Sequence, residues 1–221
     1  MHPLILSNTA LFRGAAPEET EAMLRCLGSE RRVYPKGARI LRAGERTAKL
    51  GIVLSGRVLI QSGDLWGNTT VLDNVLPGQI FAETYACTGE VLLVDAAAAE
   101  DTAVLFLDVS RVLQLCPDAC AHHRRLVANL LHLSAQKNLN LSRKILHTSA
   151  KSIRGRLLSY FSDLSLRCGS RAFTIPFNRQ QLADYLNVDR SALSHELSKM
   201  QKEGLLRIER SRVTLLHGDL S

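Results

Sequence analysis

Between Pro117 and Gly155 the chain contains neither glycine nor proline, and most of its residues there are good helix formers. Glycine and proline interrupt helices, but proline is tolerated at a helix's first position, where its missing N–H costs nothing. The stretch predicts one long helix that starts with Pro117 and ends at a hinge in 147–152. Thirty residues of helix run about 45 Å, longer than a small domain is wide. A chain of 221 residues built around such a rod is expected to hang separate parts on it.

An apolar stripe marks one side of the rod. Leu126, Leu130 and Leu133, with Val127, Leu131, Leu141 and Ile145 beside them, recur at steps of three and four. A helix that overhangs the core of one small domain can cover such a stripe with a second copy of itself. Leu126, Leu130, Leu133, Leu141 and Ile145 are the expected contacts of that dimer. Asn138 and Asn140 interrupt the stripe, as a buried asparagine does where it fixes register in a coiled coil.

Ahead of the rod the pattern is different. Eight glycines punctuate 32–107 (Gly37, Gly44, Gly51, Gly56, Gly63, Gly67, Gly78, Gly89), and between them lie short apolar runs such as Ile52 to Leu54, Arg57 to Ile60, Thr70 to Leu72 and Val104 to Leu107. That spacing predicts an antiparallel all-β domain. A short helix precedes it, from Pro17, with Ala16 at the cap and Glu18 and Glu19 in the first turn, to about Leu27. A helix from about Ser152, covering Ile153, Leu157, Leu158 and Phe161, follows the hinge.

The charge is distributed unevenly. Residues 1–142 hold 14 Lys and Arg against 14 Asp and Glu, whereas residues 143–221 hold 14 against 7, so the whole formal excess of +7 lies after the rod. A basic segment beside a neutral one points to a polyanion as partner of the C-terminal part.

Residues 173–216 say how that partner is met. Asn178 with Gln181 forms a capping box at the head of a helix running through Leu182, Ala183, Tyr185 and Leu186. Asn187, Val188 and Asp189 make a tight turn, Asp189 caps a second helix from Arg190 to Glu203, and Gly204 stops it. This is a helix-turn-helix. On the second helix Leu193, Leu197 and Met200 share one face, leaving Arg190, Ser191, Ser194, His195 and Lys202 outward. Side chains near the N-terminus of such a helix read base edges in the major groove. Leu205 to Glu209 and Arg212 to Leu216 alternate as two strands around Arg210 and Ser211, a wing tipped with cations. The expected DNA contacts are Arg179, Gln180, Arg190, Ser191, Ser194, His195, Lys199, Arg210 and Arg212.

At these residues the sequence resembles the Crp–Fnr family of bacterial transcription regulators, over nearly its whole length. Lys36 to Glu45 (KGARILRAGE), Gly51 to Val58 (GIVLSGRV) and Pro77 to Glu83 (PGQIFAE) are similar to that family's glycine-punctuated β-roll, and Arg179 to Ser191 (RQQLADYLNVDRS) to its helix-turn-helix. The resemblance implies an α+β chain. It comprises an N-terminal antiparallel β-roll of the jelly-roll, cyclic-nucleotide-binding-like kind in 1–115, a dimerisation helix in 116–148, and a C-terminal winged helix-turn-helix in 149–221. It further implies a homodimer on a palindromic DNA operator, a small-molecule effector that reorients the DNA-binding pair, and RNA polymerase as a partner if the protein activates. Glu83, Leu92, Leu93, Asn138, Leu141 and Ser142 are then the expected effector-pocket residues.

The departures from the family pattern shape the expectation. Members that bind cyclic nucleotides carry a Gly-Glu pair, here Ala82-Glu83, and an Arg-Ser pair for the cyclic phosphate, which aligns with Leu92-Leu93. Residues 58–110 contain no Lys, Arg or His but eight carboxylates. Cyclic AMP is therefore disfavoured as effector. In the reading helix Ser191 and His195 replace the family's frequent Glu and Arg, so its usual target sequences do not carry over.

Cysteine usage bears on the sensor. Only Cys26 precedes Cys87, which excludes the N-terminal cluster of Fnr-type iron–sulfur sensors. Cys116, Cys120 and His123 fall at i, i+4 and i+7 on one helix face, so a metal, haem or redox sensor using them is the alternative reading. A second alternative is a ligand-binding subunit without DNA activity. An enzyme is not expected: no His lies between His2 and His122 to furnish a cupin metal site, and no G-x-S-x-G motif occurs. No run approaches the roughly 20 apolar residues of a membrane span, and Met1 to Ser7 is too short for a signal-peptide core. With five cysteines, an odd number, reduced thiols and a cytoplasmic protein are expected.

Overall fold

The computed structural model of the chain describes residues 6–7, 9–63, 69–113 and 121–216. It divides into two compact units, residues 1–136 and 137–221.

In the first unit, helix α1 (Pro17–Cys26) leads into strands β1 (Glu30–Tyr34), β2 (Arg39–Leu41), β3 (Lys49–Ser55), β4 (Val58–Gly63), β5 (Thr69–Val75) and β6 (Ile80–Phe81). A short helix α2 (Glu83–Thr88), strands β7 (Asp95–Ala98) and β8 (Thr102–Asp108), and helix α3 (Val109–Leu113) complete it, followed by the first part of α4 (Ala121–Thr148). The strands form two antiparallel four-stranded sheets, ordered β1-β8-β3-β6 and β2-β7-β4-β5.

The inner strands β3 and β8 of sheet one are buried on both faces, which explains why β8 reads as an unbroken apolar run. Val104 and Phe106 point with Val53 into the space between the sheets, where Val58, Val75 and Ala96 meet them. The alternate residues Leu105 and Leu107, with Leu50 and Ile52 of β3, face the other way onto α1, α3, the N-terminal Leu6, Leu11 and Phe12, and α4. Gly51 is required on β3, because a Cβ there would lie 2.4 Å from the Phe81 ring. At the outer edge of sheet two, β5 is exposed from Thr69 to Asn74.

The α1 prediction differs from the structure only at its end. Ala16 has no side-chain acceptor, yet the helix start is satisfied from the other side: the Ala16 N–H donates to Glu19 Oε2 at 2.9 Å.

The rod expected from Pro117 is described from Ala121, and it ends at Thr148. It is about 42 Å long at 1.5 Å per residue. Leu126 and Leu130, expected in a seam between two chains, are instead buried in the first unit's own core, with Leu133 and Val127 packed against it. Leu131, Leu139, Leu141, Ile145 and Leu146 are large apolar residues that α4 leaves exposed. That burial of Leu126 and Leu130 has a local cause. Asn129 donates from Nδ2 to the carbonyls of Leu11 (2.9 Å) and Arg13 (3.0 Å), and Arg125 reaches the carbonyl of Gly14 and lies 3.7 Å from Glu19. These bonds fasten the N-terminal segment over Leu126 and Leu130.

The second unit begins within α4 and continues through α5 (Ile153–Cys168), β9 (Ala172–Thr174), α6 (Arg179–Leu186), α7 (Arg190–Lys202), β10 (Leu206–Glu209) and β11 (Arg212–Leu215). Ser152 caps α5 by accepting from the Gly155 N–H, and Gly169 ends it in the left-handed conformation. Leu157, Tyr160 and Phe161 of α5 pack with Phe173, Ile175, Leu182, Leu186, Leu193, Leu197, Met200, Leu206 and Val213 into one core. Leu158, spanned by the predicted helix, is 40 % exposed on its outer side. Strands β10, β11 and β9 form a three-stranded antiparallel sheet in that order.

Candidate nucleic-acid interface

The helix pair α6–α7 is built from its caps. Asn178 Oδ1 accepts from the Gln181 N–H and Gln181 Oε1 accepts from the Asn178 N–H, both at 2.9 Å. Asn187 closes α6 with φ 55°, a left-handed position where asparagine is at home. Asp189 Oδ1 then accepts from the Ala192 N–H at 2.8 Å and from the Ser191 hydroxyl, bonds that hold its carboxyl below the usual carboxylate range. The charged cap also suits the positive end of the helix dipole.

Faces separate on α7 as the periodicity predicted. Leu193, Leu197 and Met200 are buried, while Arg190, Ser191, His195, Lys199 and Lys202 are exposed and Ser194 is half-buried. The Ser194 hydroxyl donates to the Arg190 carbonyl at 2.9 Å and the Ser191 hydroxyl to Asp189, so each has a local bond to exchange for an outside acceptor. Arg179 at the head of α6 is half-buried, and burial pushes its guanidinium below its ordinary value. Gln180 is exposed and donates to Asp184 Oδ1 at 2.8 Å. In the wing, Arg210 adopts φ 57° between β10 and β11, a left-handed turn that puts its side chain in solvent, and Arg212 is exposed beside it.

Two acids, Glu196 on α7 and Glu203 at its C-cap, do not join the outward cations. Arg154, in the first turn of α5, donates through Nε to Glu196 Oε1 at 2.6 Å and through its two terminal nitrogens to both oxygens of Glu203 at 2.7 and 3.0 Å. That pairing raises the guanidinium above its ordinary value and lowers the Glu203 carboxyl below its own. Two residues on, Arg156 donates to the carbonyl of Ala150 (2.9 Å) and to those of Leu186 (3.0 Å) and Asn187 (2.8 Å) in the α6–α7 turn. Sequence reasoning missed both arginines. The available signal was the seven-residue spacing of Glu196 and Glu203, which sets two acids on one face two turns apart.

The expected effector residues fall in both units. In the first, Glu83 opens α2 and is buried, Leu92 is buried, and Leu93 is 76 % exposed. Ala82 stands before Glu83 with φ 61° and ψ 7°, a left-handed conformation that favours glycine. In the second unit Asn138, Leu141 and Ser142 are exposed on α4. The cation missing from 58–110 arrives from elsewhere in sequence: Arg46 donates to the Gly89 carbonyl at the end of α2, and Arg39 of β2 lies 3.7 Å from Asp95 of β7.

Of the expected metal set, Cys116 and Cys120 lie outside the described residues. His123 is buried with Nε2 3.0 Å from the Arg111 carbonyl, so a backbone contact occupies that nitrogen. Among the described residues no group of three His, Cys, Asp or Glu is placed to hold a metal, and no helix is long and apolar enough to cross a membrane.

Comparison with known proteins adds relatives to this geometry. The family described as "Cyclic nucleotide-binding domain" matches residues 31–118, and that described as "Crp-like helix-turn-helix domain" matches residues 155–219. The cyclic AMP receptor protein of Thermus thermophilus is 27% identical over 206 residues, covering 92% of this chain and 90% of its own. The crystal structure of the Thermus thermophilus catabolite activator protein superposes with a TM-score of 0.52 at 26% identity, over 94% of this chain and 93% of that one. The OCPA-complexed CprK structure, 16% identical over 88% of this chain and 91% of its own with a TM-score of 0.62, shares the fold.

Proposed function

Because this chain belongs to the Crp–Fnr family of DNA-binding transcription regulators, we propose that it acts as a cytoplasmic homodimer that sets its two α7 helices into successive major grooves of a palindromic operator. Arg190, Ser191, Ser194 and His195 read bases; Arg179, Gln180, Lys199, Arg210 and Arg212 hold phosphates. One observation carries this reading: Arg190, Ser191 and His195 are exposed donors in the N-terminal half of α7, while Glu196 and the C-cap Glu203 are paired with Arg154. A polyanion then meets a face whose one nearby carboxylate, the Asp189 cap, is taken up by the Ala192 N–H and the Ser191 hydroxyl.

Dimerisation along α4 uses the face left exposed. Leu131, Asn138 and Ile145 recur at seven-residue steps with Leu141 between them, an a/d pattern that carries one asparagine at an a position.

The first unit senses the effector, which acts by binding one orientation of the DNA-reading pair better than another. The Thermus thermophilus relative is named for cyclic AMP. Here Ala82, Leu92 and Leu93 stand where nucleotide-binding members place a glycine and a phosphate-binding Arg-Ser pair, so an effector other than cyclic AMP is the better fit. Where the protein activates, RNA polymerase is the further partner. Selection of bound duplexes from a random pool, with retention on duplex DNA measured against salt, tests the central claim. An enriched palindrome and a steep salt dependence are expected; retention without enrichment of any motif overturns it.

A further inference from the structure

We propose that Arg154 is a positioning residue for DNA reading: it locks α7 to the first turn of α5 through Glu196 and Glu203 without touching DNA. The inference rests on α7 being the base-reading helix. Three observations within the second unit support it. The first is the fork of bonds itself, which runs from Glu196 on α7 to Glu203 at its C-cap and ties both oxygens of Glu203 to two nitrogens of one planar guanidinium. The Arg154 and Glu196 side chains are 32 % and 20 % exposed, so their bond is part-buried, and Glu203 closes the fork at the surface.

The second is Arg156, which grips the other end of the same helix pair. Its bonds to Leu186 and Asn187 hold the turn that leads into α7, and its bond to Ala150 holds the loop that leads into α5. Side chains two residues apart on a helix point about 200° from each other, so the first turn of α5 reaches α7 on one side and the turn before it on the other. The third is Gly155 between the two arginines. A Cβ there would lie 2.9 Å from Ala150 Cβ and 3.2 Å from Ser152 Oγ, so the loop closes tightly onto this turn. A displacement of the loop therefore moves the first turn of α5, and the two arginines carry α7 with it.

The test is a reversal of sign. Glu203 is an acid at the C-cap of the DNA-reading helix, and removing an acid from a DNA-binding surface ordinarily tightens binding. If Glu203 acts by holding Arg154, Glu203→Gln weakens binding instead. With the full chain and the duplex that the wild-type protein selects, Glu203→Gln is expected to weaken affinity about threefold and Arg154→Met roughly threefold to tenfold. The double variant should be no weaker than Arg154→Met alone, because both changes break one contact. Arg154→Lys, a point charge without the fork, falls between Arg154→Met and wild type. For every variant the slope of log affinity against log salt and the selected motif stay those of the wild type.

Tighter binding by Glu203→Gln, additive single effects, or a salt slope reduced by about one in Arg154→Met overturns the proposal, the last because it marks a lost phosphate contact. If Arg154→Met fails to fold by circular dichroism, the sign of the Glu203→Gln effect decides alone. Failure of the underlying reading looks different: Arg190→Ala would then leave the selected motif unchanged.

Discussion

Nδ1 of His147 lies 2.9 Å from the Tyr185 hydroxyl, joining the last turn of α4 to α6 inside the second unit. The imidazole is buried, packed edge-on against Tyr160 with ring centroids 5.3 Å apart, and its Nε2 faces Asp163 Oδ2 at 3.6 Å. Neither of those two atoms has a hydrogen-bond partner. Burial pushes the imidazole below its ordinary value; Asp163 pulls the other way, and Arg143 and Arg167 add to the downward push. The Tyr160 and Tyr185 phenols, raised by the same burial, stay protonated through the neutral range, Tyr160 at about 12.

A pH dependence of known sign follows from that lowering. The unfolded chain takes up the proton near the ordinary histidine value, before the folded chain does. The stability from neutral His147 is therefore complete above that value and lost as pH falls through the depressed one. Thermal melts between pH 7.5 and 5 should show Tm falling on acidification, with a shallower fall in His147→Gln than in wild type, although the variant starts lower for want of the buried contact. Parallel curves would dismiss His147 as the responsible group.

Arg190 and Arg210 should fail in different ways. Arg190 is exposed in the first turn of α7, where base edges are read, so Arg190→Ala should cost about 1–3 kcal/mol on the selected operator and relax the motif at one position per half-site. Arg210 is at the wing tip, and Arg210→Ala should weaken all sequences alike and lower the salt slope by about one. Parallel selection experiments and salt titrations separate the two.

Ala82 carries backbone strain. At φ 61° its Cβ crowds the adjacent carbonyl, a penalty of about 1–2 kcal/mol that glycine does not bear. Ala82→Gly gives back part of this as unfolded-chain entropy and should stabilise the protein by roughly 0.5–1 kcal/mol, measured as a higher denaturation midpoint at unchanged m-value.

Cyclic AMP is expected to leave the protein unaltered. The positions aligned with the phosphate-binding Arg-Ser pair hold Leu92, which is buried, and Leu93, which is exposed, and neither side chain donates a hydrogen bond. Calorimetry at millimolar nucleotide should record no saturable heat, and operator affinity should not change. Arg46 donates to the Gly89 carbonyl, three residues before Leu92, so a saturable heat abolished by Arg46→Met would reverse the assignment.

How much of this was legible before folding depended on distance along the chain. The caps at Asn178, Asp189 and Gly204 act over three or four residues, and the helix-turn-helix could be read from them with the buried face of α7 in place. The two-sided burial of β8 was less visible, because Val104 and Leu105 are equally apolar and only the sheets show that they face different cores. On α4, periodicity gave a face but not its partner: Leu126 and Leu130 are covered by Leu6, Leu11 and Phe12, more than a hundred residues away, which carry no sign of that destination. Arg154 is 42 and 49 residues from its two acids, and His147 is 38 from Tyr185, so neither relation leaves a local pattern.

That reassignment of α4 makes the dimer testable on two sets of leucines with opposite outcomes. Leu130 is 4 % exposed in the first unit's core, so Leu130→Ala should cost about 2–4 kcal/mol of stability through the cavity it leaves. Leu141 and Ile145 are 62 % and 68 % exposed on the heptad face, where a charge is tolerated in a lone chain but not opposite its own copy in a seam. The Leu141→Asp and Ile145→Asp variants should sediment as folded monomers with a Tm close to the monomer limit and lose operator affinity by more than the tenfold that one contact accounts for, since half of the bivalent attachment is gone. Sedimentation velocity beside thermal melting reads both outcomes, and a Leu141→Asp protein that remained dimeric would move the seam off this face.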